Sequence, residues 1–236
     1  MKKFITSIIV LGLTACGGSD GGDGATTTYN LDGIYVDEFG DVTLIDASEG
    51  LISVEDSGIY YAERHEYTIS QNTLRATDQW SSLGYDFSEE IVLTADNDTS
   101  ATVTYNYSQV DSTTGDVVYS DTESYPLERQ TNSLSITEMQ PFAYSDIDPG
   151  TVWNIEESGQ ITAYVTYCNV ATGQLTAKEF YYELDFVVSG CSLEYAEFEG
   201  NYGGYAYTAT VDGADKLYIA AQKDTEDAWF WDIISK

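Results

Sequence analysis

Forty Asp and Glu residues against a single histidine set the chemistry open to this chain of 236 residues. With only His65, a histidine-clustered metal site is excluded. Flanked by Glu63 and Glu66, His65 could act as a base oriented by a carboxylate, although a surface strand position explains it as well. No Gly-x-Ser-x-Gly elbow occurs, which removes the α/β-hydrolase class. Glycoside hydrolysis needs two carboxylates at a defined separation across a cleft, and nothing in the sequence singles out a pair. The chain therefore reads as non-enzymatic, with a carboxylate-dependent hydrolase as the remoter alternative. Acid-rich turns at Asp96-Asn97-Asp98, Asp146/Asp148 and Asp212/Asp215 could offer oxygens to a hard cation such as Ca²⁺, with Asp96 and Asp98 the expected ligands. None has the spacing of the twelve-residue Ca²⁺ loop, and Asp and Asn favour turns for backbone reasons alone. No other cofactor is implied.

The aromatic set points elsewhere. Tyr181, Tyr182, Tyr195, Tyr202, Tyr205, Tyr207, Trp229 and Trp231 crowd the second half. Ring faces beside carboxylates suit a sugar, whose C–H faces stack and whose hydroxyls bond to acids. The same residues also fill β cores. Tyr202 sits in Gly200-Asn201-Tyr202-Gly203-Gly204, which reads as a loop exposing its side chains and leading into Tyr205, so Tyr202, Tyr205, Trp229 and Trp231 are the candidate ligand residues.

The elements that must position these groups are strands. Tyr is abundant, Thr, Val and Ile are frequent, and no amphipathic helix stands out. Short apolar runs closed by Gly-containing turns repeat from Tyr29 onward. Ala101–Val110 alternates with period two and should pair with Val117–Leu127 as a hairpin, whereas Gln79–Phe87 reads as irregular. The octapeptide starting at Val36 is matched by the one starting at Ile155, with apolar, acid, Glu, any, Gly, polar, β-branched and Thr in order. It is either a duplication or a recurrent way of starting a meander. The expectation is an all-β fold: antiparallel meanders forming one or two small β-barrels or sandwiches. The first β-domain is expected over 29–130, a linker over 131–150 and the second β-domain over 151–236. Leu31, Gly33 and Tyr35, with the closing Tyr125–Arg129 strand, resemble the start and end of lipocalin-like small barrels, which implies a closed antiparallel barrel.

The N-terminus carries the most specific signal. Lys2 and Lys3 precede an apolar run, Phe4–Leu13, too short to span a bilayer. Leu13-Thr14-Ala15-Cys16 then resembles the lipobox of bacterial lipoproteins. The resemblance implies a signal peptide over 1–15, cleavage before Cys16 and lipidation of Cys16. Gly17 in the next position implies the outer membrane, periplasmic or surface-facing. Residues 16–28 would be the lipidated cysteine and a Gly-rich flexible linker. With Cys16 lipidated, Cys168 and Cys191 remain as a pair, and an exported chain favours their disulfide. The formal charge of −31 repels nucleic acid and anionic headgroups. The expected function is a membrane-anchored envelope binding or structural module. Its lipid anchor would contact the membrane, and an envelope protein or glycan would be its partner. A carbohydrate- or small-ligand-binding module is the alternative.

Overall fold

The computed structural model describes residues 29–236 except 48–50, 57–58, 64–66, 131 and 225–228. Cys16, the segments expected as signal peptide and linker before Tyr29, and His65 therefore lie outside the described residues.

The chain is all-β and forms two antiparallel units. The first is one sheet of nine strands: β1 (Gly33–Asp37), β2 (Val42–Asp46), β3 (Leu51–Asp56), β4 (Ile59–Glu63), β5 (Tyr67–Ser70), β6 (Thr73–Ser82), β7 (Tyr85–Asn97), β8 (Ser100–Asp111) and β9 (Val117–Gln130). Their order is β4-β3-β2-β1-β9-β8-β7-β6-β5, so the first strand meets the last and the sheet curls into a half-barrel. The expected β8–β9 hairpin forms, with Val103 opposite Tyr125. Gln79–Phe87 is not irregular: it is a hairpin of β6 and β7 around Leu83-Gly84. Both turn residues have positive φ, 51° and 85°, as a two-residue hairpin loop requires. Leu at the first of them hides the turn from a reading that expects Asn or Gly there.

The second unit is a closed eight-stranded barrel of β10 (Tyr144–Ser145), β11 (Val152–Ile155), β12 (Gln160–Val165), β13 (Cys168–Ala177), β14 (Tyr182–Cys191), β15 (Gly200–Val211), β16 (Ala214–Lys223) and β17 (Trp229–Ser235). β10 pairs with β17 and closes it. The segment expected as a linker, 131–150, is part of this barrel. It carries β10 and a one-turn helix, α1 (Ile136–Met139), whose Ser135 and Glu138 form a reciprocal capping box. Met139 and Phe142 are fully buried in the barrel core. The segment's weak periodicity reflects a plug, which has one apolar anchor every few residues and no repeating face. Gly200–Gly204 is likewise strand, not loop. At Gly204 a Cβ would stand 2.0 Å from the Ala220 carbonyl oxygen, so only glycine lets β15 and β16 approach there. The Cys168–Cys191 disulfide joins directly opposed residues of β13 and β14.

The lumen of the barrel is filled by Trp153, Phe186, Tyr202, Leu184 and Ile219, with Met139 and Phe142. Inside the curl of the first unit a second core holds Tyr35, Ile45, Leu74, Leu93, Val103 and Leu127. A third core joins the units: Ile34, Val36, Val42 and Leu44 on the outer face of β1 and β2 pack on Tyr207, Ala209, Val211, Tyr218 and Ile233 on the outer face of the barrel. The residues resembling a lipocalin-like start belong to the open sheet, and the closed barrel is built by the other half of the chain. The paired octapeptides form the same hairpin in both units. Gly40 and Gly159 have φ near +89° and +83°, and each donates its N–H to the carbonyl three residues back.

Candidate functional site

The sequence-predicted ligand residues do not form one site. Tyr202 is buried in the barrel lumen, stacked on Phe186 at 5.0 Å. Tyr205 points the other way, toward the joint between the units, edge-on to Tyr181 at 5.9 Å. Trp231 shares the Tyr205 row, across Ala220. Trp229 is a strand residue whose side chain lies outside the described residues. Strand alternation separates Tyr202 from Tyr205, a consequence of period two that a loop reading could not foresee.

The Asp96–Asp98 turn is held from within the protein. Asp96 accepts from the Thr102 hydroxyl at 3.0 Å, Asn97 accepts from Thr99, and the Asp98 carbonyl accepts from the Arg129 guanidinium at 3.1 Å. Arg129 already brings a positive charge to the turn. Among the described residues no three acidic, cysteine or histidine side chains form a metal-binding group. The turn does what Asp and Asn do for backbone reasons.

The arrangement that stands out is on the long strands β6–β9. The short strands cover only their near ends: β1 pairs with β9 at Leu127–Gln130, and β5 pairs with β6 at Thr73–Ala76. Beyond these, β6–β9 continue as a four-stranded blade. The face of the blade that is continuous with the inner face of the curl has a graded composition. Next to the core lie Leu74, Leu93, Val103 and Leu127. Then come Ile91, Tyr105, Glu123 and Tyr125. Furthest out are Glu89, Tyr107 and Asp121, then Trp80, Phe87 and Tyr119, placed on one face by the strand register. Trp80 stacks on Phe87 at 5.3 Å and 9°. Phe87 and Tyr119 both contact Tyr107, at 6.3 and 5.8 Å. Trp80 keeps 40% of its surface exposed and Tyr119 49%.

Carboxylates stand between the rings. The Tyr119 hydroxyl donates to Asp121 at 2.8 Å, and Tyr125 donates to Glu123. Those acceptors hold the phenol protons, raising Tyr119 above its ordinary pKa and pushing Tyr125 up to about 12. The opposite face is Ser/Thr-rich and carries the Arg75–Glu90 ion pair at 3.1 Å. From Ala76 to Glu128 the sequence contains no Lys, Arg or His. Sequence reasoning missed this face because it left Gln79–Phe87 without strand structure, which removes Trp80 and Phe87 from any row. The one retrievable signal was period two: Tyr105 and Tyr107 alternate with Thr and Asn on β8, and Tyr119, Asp121, Glu123 and Tyr125 alternate with Ser and Thr on β9.

One other polar cluster is buried, at the end of the barrel. Asp232 accepts from the Trp153 indole N–H at 2.7 Å and from the Ser145 hydroxyl. Ser145 Oγ in turn accepts from the backbone N–H of Asp148 at 2.8 Å. Burial pushes Asp232 up to about 6, against the pull of its hydrogen bonds, and the nearby Asp148 charge adds to the rise. With 3% of its surface exposed, Asp232 has no face to offer a substrate. It organises the Ser145–Thr151 loop. Comparison with protein-family models and with characterised proteins finds no match.

Proposed function

We propose that the chain is a lipid-anchored envelope lipoprotein and a non-enzymatic binding module, with the aromatic and acidic face of the β6–β9 blade as its ligand face. The observation that carries this is the blade itself. A sheet face rich in aromatic residues is normally buried against a second layer, and here the distal rows have none among the described residues. The bland reading, in which the rings only cement the blade, leaves the 40% and 49% exposure of Trp80 and Tyr119 unused.

The anchor gives the face a direction. Tyr29, where the described chain starts, hydrogen-bonds Asn72 at the turn between β5 and β6. Trp80 lies at the other end of β6, roughly 23 Å away at strand rise. A protein tethered through Cys16 and a glycine-rich spacer would thus hold the face away from the bilayer. Cys16→Ser should move the protein from the membrane fraction to the soluble fraction; retention in the membrane would refute the anchor. For the ligand face, a soluble form starting at Ala25 should capture its ligand from isolated envelopes. Trp80→Ala with Tyr119→Ala should lose capture while the far-UV spectrum is kept. Undiminished capture by that variant would refute the assignment of the face.

A further inference from the structure

We propose that the blade selects a cationic glycan, a sugar chain bearing free amino groups. This rests on the ligand-face reading above and names the class of ligand. Three observations lead to it.

The first is charge. Glu89, Asp121 and Glu123 share the face with Trp80, Phe87, Tyr107 and Tyr119, and no basic residue occurs anywhere from Ala76 to Glu128. An aromatic face with carboxylates between its rings attracts ammonium groups twice, through the ring quadrupole and through the acids. The second observation excludes the same face of a second copy of the chain. Two such faces placed together would oppose carboxylate to carboxylate with no cation between them. Anionic headgroups and nucleic acid are repelled for the same reason. The third is the kind of contact on offer. In the interior strands β7 and β8 the backbone groups are consumed by strand pairing on both sides. The face therefore presents rings and carboxylates, with the Gln109 amide as its one other polar side chain in the outermost row. A peptide laid across it would leave its own N–H and C=O groups over ring faces, at a cost in unmade hydrogen bonds. A pyranose chain presents C–H faces to the rings and amines to the acids. The row Trp80–Phe87–Gln109–Tyr119 crosses four strands, about 14 Å at the usual strand spacing, which suits an oligosaccharide better than a single sugar.

The test uses the soluble form starting at Ala25 and three probes of equal length. These are an oligomer of glucosamine, its fully N-acetylated counterpart and oligolysine, each titrated at low salt and at high salt. The glucosamine oligomer should bind, and the acetylated chain at least tenfold more weakly. Oligolysine should bind only at low salt. Asp121→Asn with Glu123→Gln should weaken glucosamine-oligomer binding about tenfold and leave the acetylated chain unaffected. Equal binding of the two sugar chains would overturn the cationic class while leaving the face a neutral-glycan site. Oligolysine binding as tightly as the glucosamine oligomer at high salt would overturn the glycan assignment. No binding of any probe would overturn the proposal outright. The ligand-face reading itself stands or falls separately, on the Trp80 and Tyr119 variants and whatever ligand the envelope supplies.

Discussion

Asp232 is the residue at which this protein's stability should depend most visibly on pH. In the unfolded chain its carboxyl releases a proton near 3.8, and in the barrel near 6. Between those values the folded state holds the extra proton, so stability falls as pH rises from about 4 to about 6. A two-unit difference amounts to about 3 kcal/mol at a site this buried. The carboxylates lowered by hydrogen bonds, such as Asp148 and Asp215, lose their contribution only as pH drops below about 4, outside this window. Denaturant unfolding at pH 4.5 and 7.5 should therefore show the native protein weaker at the higher pH. Asp232→Asn should abolish most of that difference, whatever it costs at pH 4.5. An equal slope in the variant would place the titration elsewhere. At this scale the sequence was partly legible. With Cys16 assigned to a lipid, Cys168 and Cys191 were left as the expected pair, and they form the disulfide. The importance of Asp232 was invisible, because burial, not residue type, makes it unusual. The grouping of Tyr202 with Tyr205 failed because side chains three apart on a strand point to opposite faces.

Turns decide how the elements assemble, and the β6–β7 turn is the clearest case. Leu83 has φ 51° and is 95% exposed, so it has backbone strain and almost no packing to lose. Left-handed backbone costs an L-residue without a hydrogen-bonding side chain roughly 1–2 kcal/mol. Leu83→Asn should stabilise the protein by about 0.5–1 kcal/mol, read as a higher denaturant midpoint at unchanged slope, since Asn-Gly is the preferred pair for such a loop. A lower midpoint would mean that Leu83 makes a contact worth more than the strain. The disulfide acts on another hairpin, β13–β14. It spans 23 residues, and replacing both cysteines by alanine should cost about 3 kcal/mol on the chain-entropy account. β8 was readable from the sequence because its apolar and aromatic residues alternate with polar ones, and β9 followed as its hairpin partner. β10 and α1 were not. A two-residue strand and a four-residue helix have no period to detect, and their roles come from what the barrel needs for closure.

The two units are joined by more than a chain connection. Ile34, Val36, Val42 and Leu44 share a core with Tyr207, Tyr218 and Ile233. The Gln130 side chain donates to the Thr210 carbonyl and accepts from its N–H, at 3.1 and 3.0 Å, as a strand residue would. Across the same joint the Tyr181 hydroxyl reaches the buried Asp46 carboxylate at 3.0 Å. A sequence reading that divides the chain at 131–150 cannot see this joint: β1, β15 and β16 are buried on both faces, and that reading offers nothing to cover the second one. The outward apolar residues of β15–β17 look like misplaced surface until the first sheet covers them. The joint should make the units one cooperative body, and Leu44→Ala tests that. Leu44 is fully buried there, so truncation should cost about 2–5 kcal/mol. If the joint couples the units, the loss should appear on both sides of it. Amide exchange in β16 and β17 should then accelerate together with exchange in β1 and β2. Tyr181→Phe should do the same more mildly, by about 1.5–3 kcal/mol for one lost bond to a charged acceptor. Faster exchange confined to β1–β4 would instead show two independently stable units. The blade could then move relative to the barrel, and only a coupled body holds the aromatic face at a fixed angle to the chain's point of entry.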